Sequence, residues 1–243
     1  MPLFILHGLF GMLDNWHKIA NGLKNDYTVY TVDQRNHGGS FHDREMSYSQ
    51  MAVDLVKLAD HLGIDQFYLC GHSMGGKTAM QLANLFPKRL AKLVVVDIAP
   101  KNYMGGHEKY FEALKKIPFH SITNRKEADL ALQHYEENES VRMFLLKNLK
   151  RLENSGYGLK LNLAAIESNY YKITGNPKLE NQFHQPTLFI KGANSNYLQA
   201  ADLEEMDKRF SNYQIDEIKD AGHWVHAENP KDFLNSIHQF LGS

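Results

Sequence analysis

A chain of 243 residues with 43% apolar side chains can bury one substantial core, and α/β architectures of this length usually stay undivided. Lys plus Arg number 27 against 28 Asp plus Glu, a net charge of -1, so no overall field draws the chain to nucleic acid or to an anionic membrane. The single cysteine, Cys70, excludes an internal disulfide framework and a cysteine-based zinc site, and it suits a reducing compartment.

The longest apolar run near the start, Leu3 to Leu6, is too short for a signal-peptide core or a membrane span. The expected setting is therefore cytoplasmic, without membrane insertion. That run reads as a buried strand, and the loop His7-Gly8-Leu9-Phe10-Gly11 follows it. A second strand covers Tyr27 to Val32 and leaves through the polar, glycine-bearing loop from Asp33 to Ser40, where Arg35 is expected to tie neighbouring carbonyls and acids. Ser47 and Gln50 make a capping-box pair, and Met51, Leu55, Leu58 and Leu62 recur at helical spacing up to Gly63. A third strand runs from Phe67 to Gly71, a helix from Met74 to Phe86 with Pro87 as its stop, and a fourth strand from Leu93 to Asp97.

Strands alternating with helices imply right-handed βαβ units and a parallel sheet, with the functional crevice at the carboxyl ends of the strands. From residue 101 to 181 the strand pattern stops and Tyr110, Leu114 and Ile117 recur at helical spacing. Residues 101–181 are therefore expected to form a helical cap inserted in a core made of 1–100 and 182–243. The parallel pattern resumes with a strand from Thr187 to Lys191, a helix near Leu203 to Phe210, and a strand from Tyr213 to Ile218. The last helix has Asn229 as its cap, Pro230 in its first turn, and Phe233, Ile237 and Leu241 on its inner face.

Gly71-His72-Ser73-Met74-Gly75 matches G-x-S-x-G at a strand-to-helix turn. Only about 0.07 such matches are expected by chance in a chain of this length, so the context is informative. The turn must hold Ser73 in a strained conformation at the head of a helix, and flanking side chains larger than hydrogen would clash. A serine hydroxyl needs an imidazole to take its proton. Among 13 histidines, His223 is the best placed, on a loop after the last strand, with His226 in reserve. The imidazole in turn needs a carboxylate between serine and histidine in the sequence. Asp97, a lone acid after Val94-Val95-Val96, is preferred over Asp202 and the uncharged Asn194, because an acid in such a run must be hydrogen-bonded or paired. Two backbone N–H donors should face the oxyanion. Met74 supplies one and Leu9 the other, with Phe10 in reserve.

Other features are plainer. Cys70 is expected in the core. Lys147, Lys150 and Arg151 form a basic cluster, either a solvated face or a contact for an anionic substrate such as a coenzyme A phosphate. Tyr110, Phe111, Phe144 and Tyr170 of the cap, with Trp224, are expected to wall an apolar acyl pocket. HExxH, P-loop and dinucleotide fingerprints are absent from the sequence, and neither a cofactor nor a metal is implied.

These residues resemble the α/β-hydrolase superfamily and, more narrowly, the YbfF-like esterases. The resemblance rests on His7 to Gly11 with Leu13-Asp14-Asn15, on Val32 to Gly38, on Gly71 to Lys77, on Val96 to Pro100, on Gly192 with Asn194-Ser195, and on Ala221 to Ala227. It implies an acid at Asp97 and hydrolysis of short to medium acyl esters or acyl-CoA thioesters. The same triad also serves cofactor-free haloperoxidases and carbon-carbon bond hydrolases, and a non-enzymatic receptor on this fold is a third reading. One departure is that Met1 and Pro2 lead straight into the first strand, where the superfamily has one or two earlier strands. On this reading the amino-terminal strands are reduced, by a truncated start or a smaller sheet, and the exposed edge makes a homo-oligomer an expectation.

Overall fold

The computed structural model describes residues 1–153 and 156–242. The chain opens with β1 (Pro2–Leu6), α1 (His17–Leu23), β2 (Thr28–Val32), α2 (Tyr48–His61), β3 (Phe67–His72), α3 (Met74–Leu85) and β4 (Leu90–Val96). It then leaves the sheet for α4 (Glu108–Lys116), α5 (Arg125–Gln133), α6 (Glu139–Leu146), β5 (Leu149–Arg151), β6 (Tyr157–Leu159), α7 (Leu163–Ser168) and α8 (Tyr170–Thr174). It returns with β7 (Thr187–Gly192), α9 (Leu203–Arg209), β8 (Tyr213–Ile218), α10 (Val225–Glu228) and α11 (Pro230–Gly242). Among the described residues, no helix is long and apolar enough to cross a membrane.

Six strands form one sheet in the order β2-β1-β3-β4-β7-β8, and every pairing in it is parallel. The apolar runs are continuous because both faces of the inner strands are covered. Alternate residues point to opposite sides. Phe4, Leu6, Leu69, Val95 and Phe189 face a layer built from Ala52 and Leu55 of α2 and Ala79, Met80 and Leu82 of α3. Leu3, Ile5, Cys70, Val94 and Ile190 face α1 and α11 through Ile19, Leu23, Phe233 and Ile237. The Ser47 side chain accepts from the Gln50 amide at the head of α2 and donates to Gln50 Oε1 at 3.0 Å, so Ser47 caps the helix while Gln50 bonds its hydroxyl and not its amide; Asn229 Oδ1 accepts from the Asp232 amide at the head of α11, as expected.

Between β4 and β7 the chain is largely helical but not wholly so. Leu149, Lys150 and Arg151 pair antiparallel with Leu159, Gly158 and Tyr157, a hairpin where only helix was expected. Three-residue strands are too short for their alternation to stand out from helical spacing. A separate apolar cluster lies here, joining Phe111, Leu114, Leu145, Leu149 and Ile166 to Phe10, Met51 and Met74 of the sheet-bearing part. Polar ties reinforce it: Asn148 Nδ2 donates to the Phe10 carbonyl at 2.8 Å, and the Tyr48 hydroxyl donates to the Ile173 carbonyl. Lys77 reaches from α3 to the carbonyls of Lys101, Thr174 and Gly175 at 2.7–3.1 Å.

Candidate active site

Ser73 sits between β3 and α3 with φ 54° and ψ -116°, a conformation costly for any side-chain-bearing residue. Its glycine neighbours are required by close approach. A Cβ on Gly71 would lie 2.2 Å from the Gly75 carbonyl oxygen, and one on Gly75 would lie 2.7 Å from the carbonyl oxygens of Leu6 and His7. The Ser73 amide is tied to the Val96 carbonyl at 3.0 Å, which fixes the turn against β4. Phe10, Asn36 and Asp97 also have positive φ, so the strained backbone gathers in the loops that leave the strands at their carboxyl ends.

Asp97 is fully buried and directly follows β4. His223 Nδ1 meets its Oδ2 at 2.7 Å, the Gly192 amide donates to Oδ1 at 3.1 Å, and the Ser195 hydroxyl donates to Oδ2. Each carboxylate oxygen is thereby satisfied, as burial demands. The other acid considered, Asp202, is bound bidentately by Lys101 Nζ at 2.7 and 2.8 Å. Asn194 donates its backbone amide to the Ala221 carbonyl.

His223 is held by two further contacts. Its carbonyl accepts from His72 Nε2 at 2.8 Å, Tyr197 stacks on its ring at 3.8 Å and 19°, and Trp224 follows it in the chain. His226, the reserve base, borders the same large cavity but is buried and stacked on Trp16 at 4.0 Å. Burial, with the nearby His223 and Lys147, pushes its pKa down to about 3, so it stays uncharged.

Met74 opens α3, and its N–H has no acceptor within the helix. Leu9, in the loop after β1, borders the same space as Met74. The reserve donor Phe10 is already committed, because its amide donates to His37 Nε2 at 3.3 Å. His37 in turn is fixed through Nδ1 to the Arg35 carbonyl at 3.0 Å, and Arg35 grips Asp54 at 2.6 and 2.9 Å and the Glu45 carbonyl at 2.8 Å. Arg35 thus braces the loop, as its position in the sequence suggested. Cys70 is buried in β3 and burial pushes its thiol pKa up, which makes it inert.

Two cavities meet at Ser73. One of about 840 Å³ is lined by Tyr110, Val141, Phe144, Tyr197, His223 and Trp224 among others. The other, about 40 Å³, is lined by Met74, Ile98, Tyr103, Tyr170 and Ile173 among others. Of the expected wall residues, Tyr110, Phe144 and Trp224 face the large cavity. Tyr170 faces the small one. Phe111 faces neither: it is 2% exposed and packs edge-on against Phe10 and Tyr170, a core position that helical periodicity alone cannot tell from a wall. Of the basic cluster, Lys147 lines the large cavity, whereas Lys150 and Arg151 are exposed on β5.

Sequence reasoning did not single out Tyr197, His107 or His37. His107 lines both cavities and is bonded through Nδ1 to the Tyr170 hydroxyl at 2.7 Å. Only the tertiary fold brings Tyr197 and His107 to the cavities at Ser73 and sets His37 beneath Phe10. Among the described residues, no cluster of three or more His, Cys, Asp or Glu side chains has the arrangement of a metal site.

The alpha/beta hydrolase fold family model matches residues 1–230, and this chain belongs to that family. Among its relatives is Esterase YbfF of Escherichia coli, 37% identical over 99% of this chain and 92% of that protein. The sn-1-specific diacylglycerol lipase ABHD11 of Danio rerio is 40% identical over 99% of this chain and 78% of its own length. A solved structure, described as a marine microorganism esterase, superposes with a TM-score of 0.96 at 41% identity, covering 98% of this chain and 94% of that one.

Proposed function

We propose that this protein is a serine carboxylesterase, with Ser73 as nucleophile, His223 as base and then acid, and Asp97 as the residue that orients His223. The observation that carries the reading is the 2.7 Å bond between His223 Nδ1 and the buried Asp97, with His223 and the strained Ser73 on one cavity. Asp97 holds Nδ1 protonated, which leaves Nε2 free to accept.

Ser73 Oγ attacks the ester carbonyl carbon while Nε2 takes the hydroxyl proton. The carbonyl oxygen becomes an oxyanion facing the amides of Leu9 and Met74. The tetrahedral species collapses by breaking the bond to the alcohol oxygen, which leaves with the proton from Nε2, and Ser73 stays acylated. Water then gives its proton to Nε2 and attacks the acyl carbon. Release of the acid returns Ser73 and His223 to their starting states. Residues 101–181 act as a cap that carries Tyr110 and Phe144 over the cavity and keeps bulk water from the acyl-enzyme.

Thioesters, including those of coenzyme A, are the second substrate class. Lys147 favours it: the side chain is exposed on the lining of the large cavity, where an anionic leaving group would meet it. A cytoplasmic setting suits the one buried cysteine.

A fluorophosphonate probe tests the reading. A single adduct mapped to Ser73, together with loss of ester turnover in Ser73→Ala, is the expected result; wild-type turnover in Ser73→Ala would overturn it.

A further inference from the structure

Ser73 stands between two unequal spaces, and the chemistry decides which half of an ester enters each. The leaving oxygen must take its proton from His223 Nε2, so the alcohol half lies on the His223 side of Ser73. His223 lines only the large cavity. The acyl substituent projects away from the leaving group, beyond the oxyanion donors. Met74, one of those donors, lines only the small cavity, and Leu9 lines both. Leu9, Ser73, His107 and Tyr197 are common to both and mark the gate where the reacting carbon sits.

We infer that the small cavity bounded by Ile98, Tyr103 and Ile173 is the acyl site, and that the large cavity walled by Tyr110, Phe144 and Trp224 receives the alcohol or thiol half. The enzyme is then selective for esters of very short acids with bulky alcohols. This rests on the serine esterase reading above, and it assigns the aromatic wall to the half of the substrate opposite to that expected from the sequence.

Size supports the assignment. A single water needs about 10–15 Å³ of cavity, so a space of about 40 Å³ admits roughly three heavy atoms: the methyl of an acetate, or a propanoate chain. Most of the boundary resists enlargement, Met104 being its one exposed side chain. Ile98, Ile173 and Tyr48 are all buried, and Lys77, which also lines the space, is locked by its three carbonyl acceptors. A chamber of about 840 Å³ falls in the range that encloses drug-sized ligands, ample for a long or branched alcohol.

Hexyl acetate and ethyl hexanoate separate the assignments cleanly, because they are isomers with the same atoms and similar hydrophobicity. Hydrolysis is followed by release of acid, with Ser73→Ala as the blank. Hexyl acetate is expected to show at least about tenfold higher kcat/KM, since even one misplaced methylene in an apolar pocket can cost that much. Equal or higher kcat/KM for ethyl hexanoate overturns the assignment while leaving the esterase reading intact. Hydrolysis of neither isomer by folded protein, without labelling of Ser73 by the fluorophosphonate, overturns the esterase reading and this inference with it.

Two variants give an independent check. Ile98→Ala, with its fold verified by thermal unfolding, should lower the preference for hexyl acetate severalfold by deepening the acyl site. Phe144→Ala should change the dependence on alcohol length across ethyl, hexyl and decyl acetates and leave the ratio of ethyl acetate to ethyl hexanoate, which share one alcohol, as it was. The reverse pattern overturns the assignment.

Discussion

Ser195 donates to Asp97 on Oδ2, the same carboxylate oxygen that meets His223 Nδ1. With the Gly192 amide on Oδ1, Asp97 has three donors and no solvent. Removing one from a buried charged acceptor costs about 1–3 kcal/mol. Ser195→Ala should therefore lower stability by about that amount, read as a reduced urea midpoint with an unchanged denaturant slope.

Asp97→Asn keeps the shape of the site and removes its charge. The amide no longer selects the imidazole tautomer that leaves Nε2 free, and in comparable triads this change lowers kcat by about 10⁴. The expected outcome is a loss of that order in kcat on a short-chain acetate, with KM changed much less and the circular dichroism spectrum preserved.

Acid should unfold this protein through its buried imidazoles. Burial lowers the pKa of His7 to about 4, His37 to about 3 and His107 to about 4, against about 6.5 in an unfolded chain. Below pH 6.5 the unfolded state takes up protons that the folded state refuses. Stability should therefore be flat with respect to these groups above pH 6.5 and fall as the pH drops from there towards 4. Each imidazole contributes up to about 1.4 kcal/mol per pH unit. Urea midpoints at pH 7.5, 6 and 5 measure the trend, and constancy across that series would contradict it.

Much of this architecture is legible in the sequence because the physics is local. β1, β3, β4 and β7 are covered on both faces, so their inner stretches, Leu3 to Leu6, Phe67 to Cys70, Leu93 to Val96 and Leu188 to Ile190, read as apolar runs. Ser73 is visible because its turn tolerates only hydrogen at 71 and 75, and Asp97 because an acid after three valines needs a partner. The hairpin of β5 and β6 escapes notice because three-residue strands carry too little alternation. The true depth of Phe111 is set by Phe10 and Tyr170, far away in the chain. Ser195, Tyr197 and His37 acquire their roles from contacts between loops, which no periodicity announces.

The parallel pairing of β4 with β7 has a kinetic consequence for the newborn polypeptide. Leu93 pairs with Thr187, so the whole intervening excursion must be closed before the two strands meet, and contacts between distant residues form slowly. Asp97 receives the Gly192 amide from 95 residues away and His223 from 126. During synthesis, Ser73 therefore emerges long before His223, its proposed base, can reach it. On the roles proposed above, the Ser73 hydroxyl gains its base only after translation has passed His223.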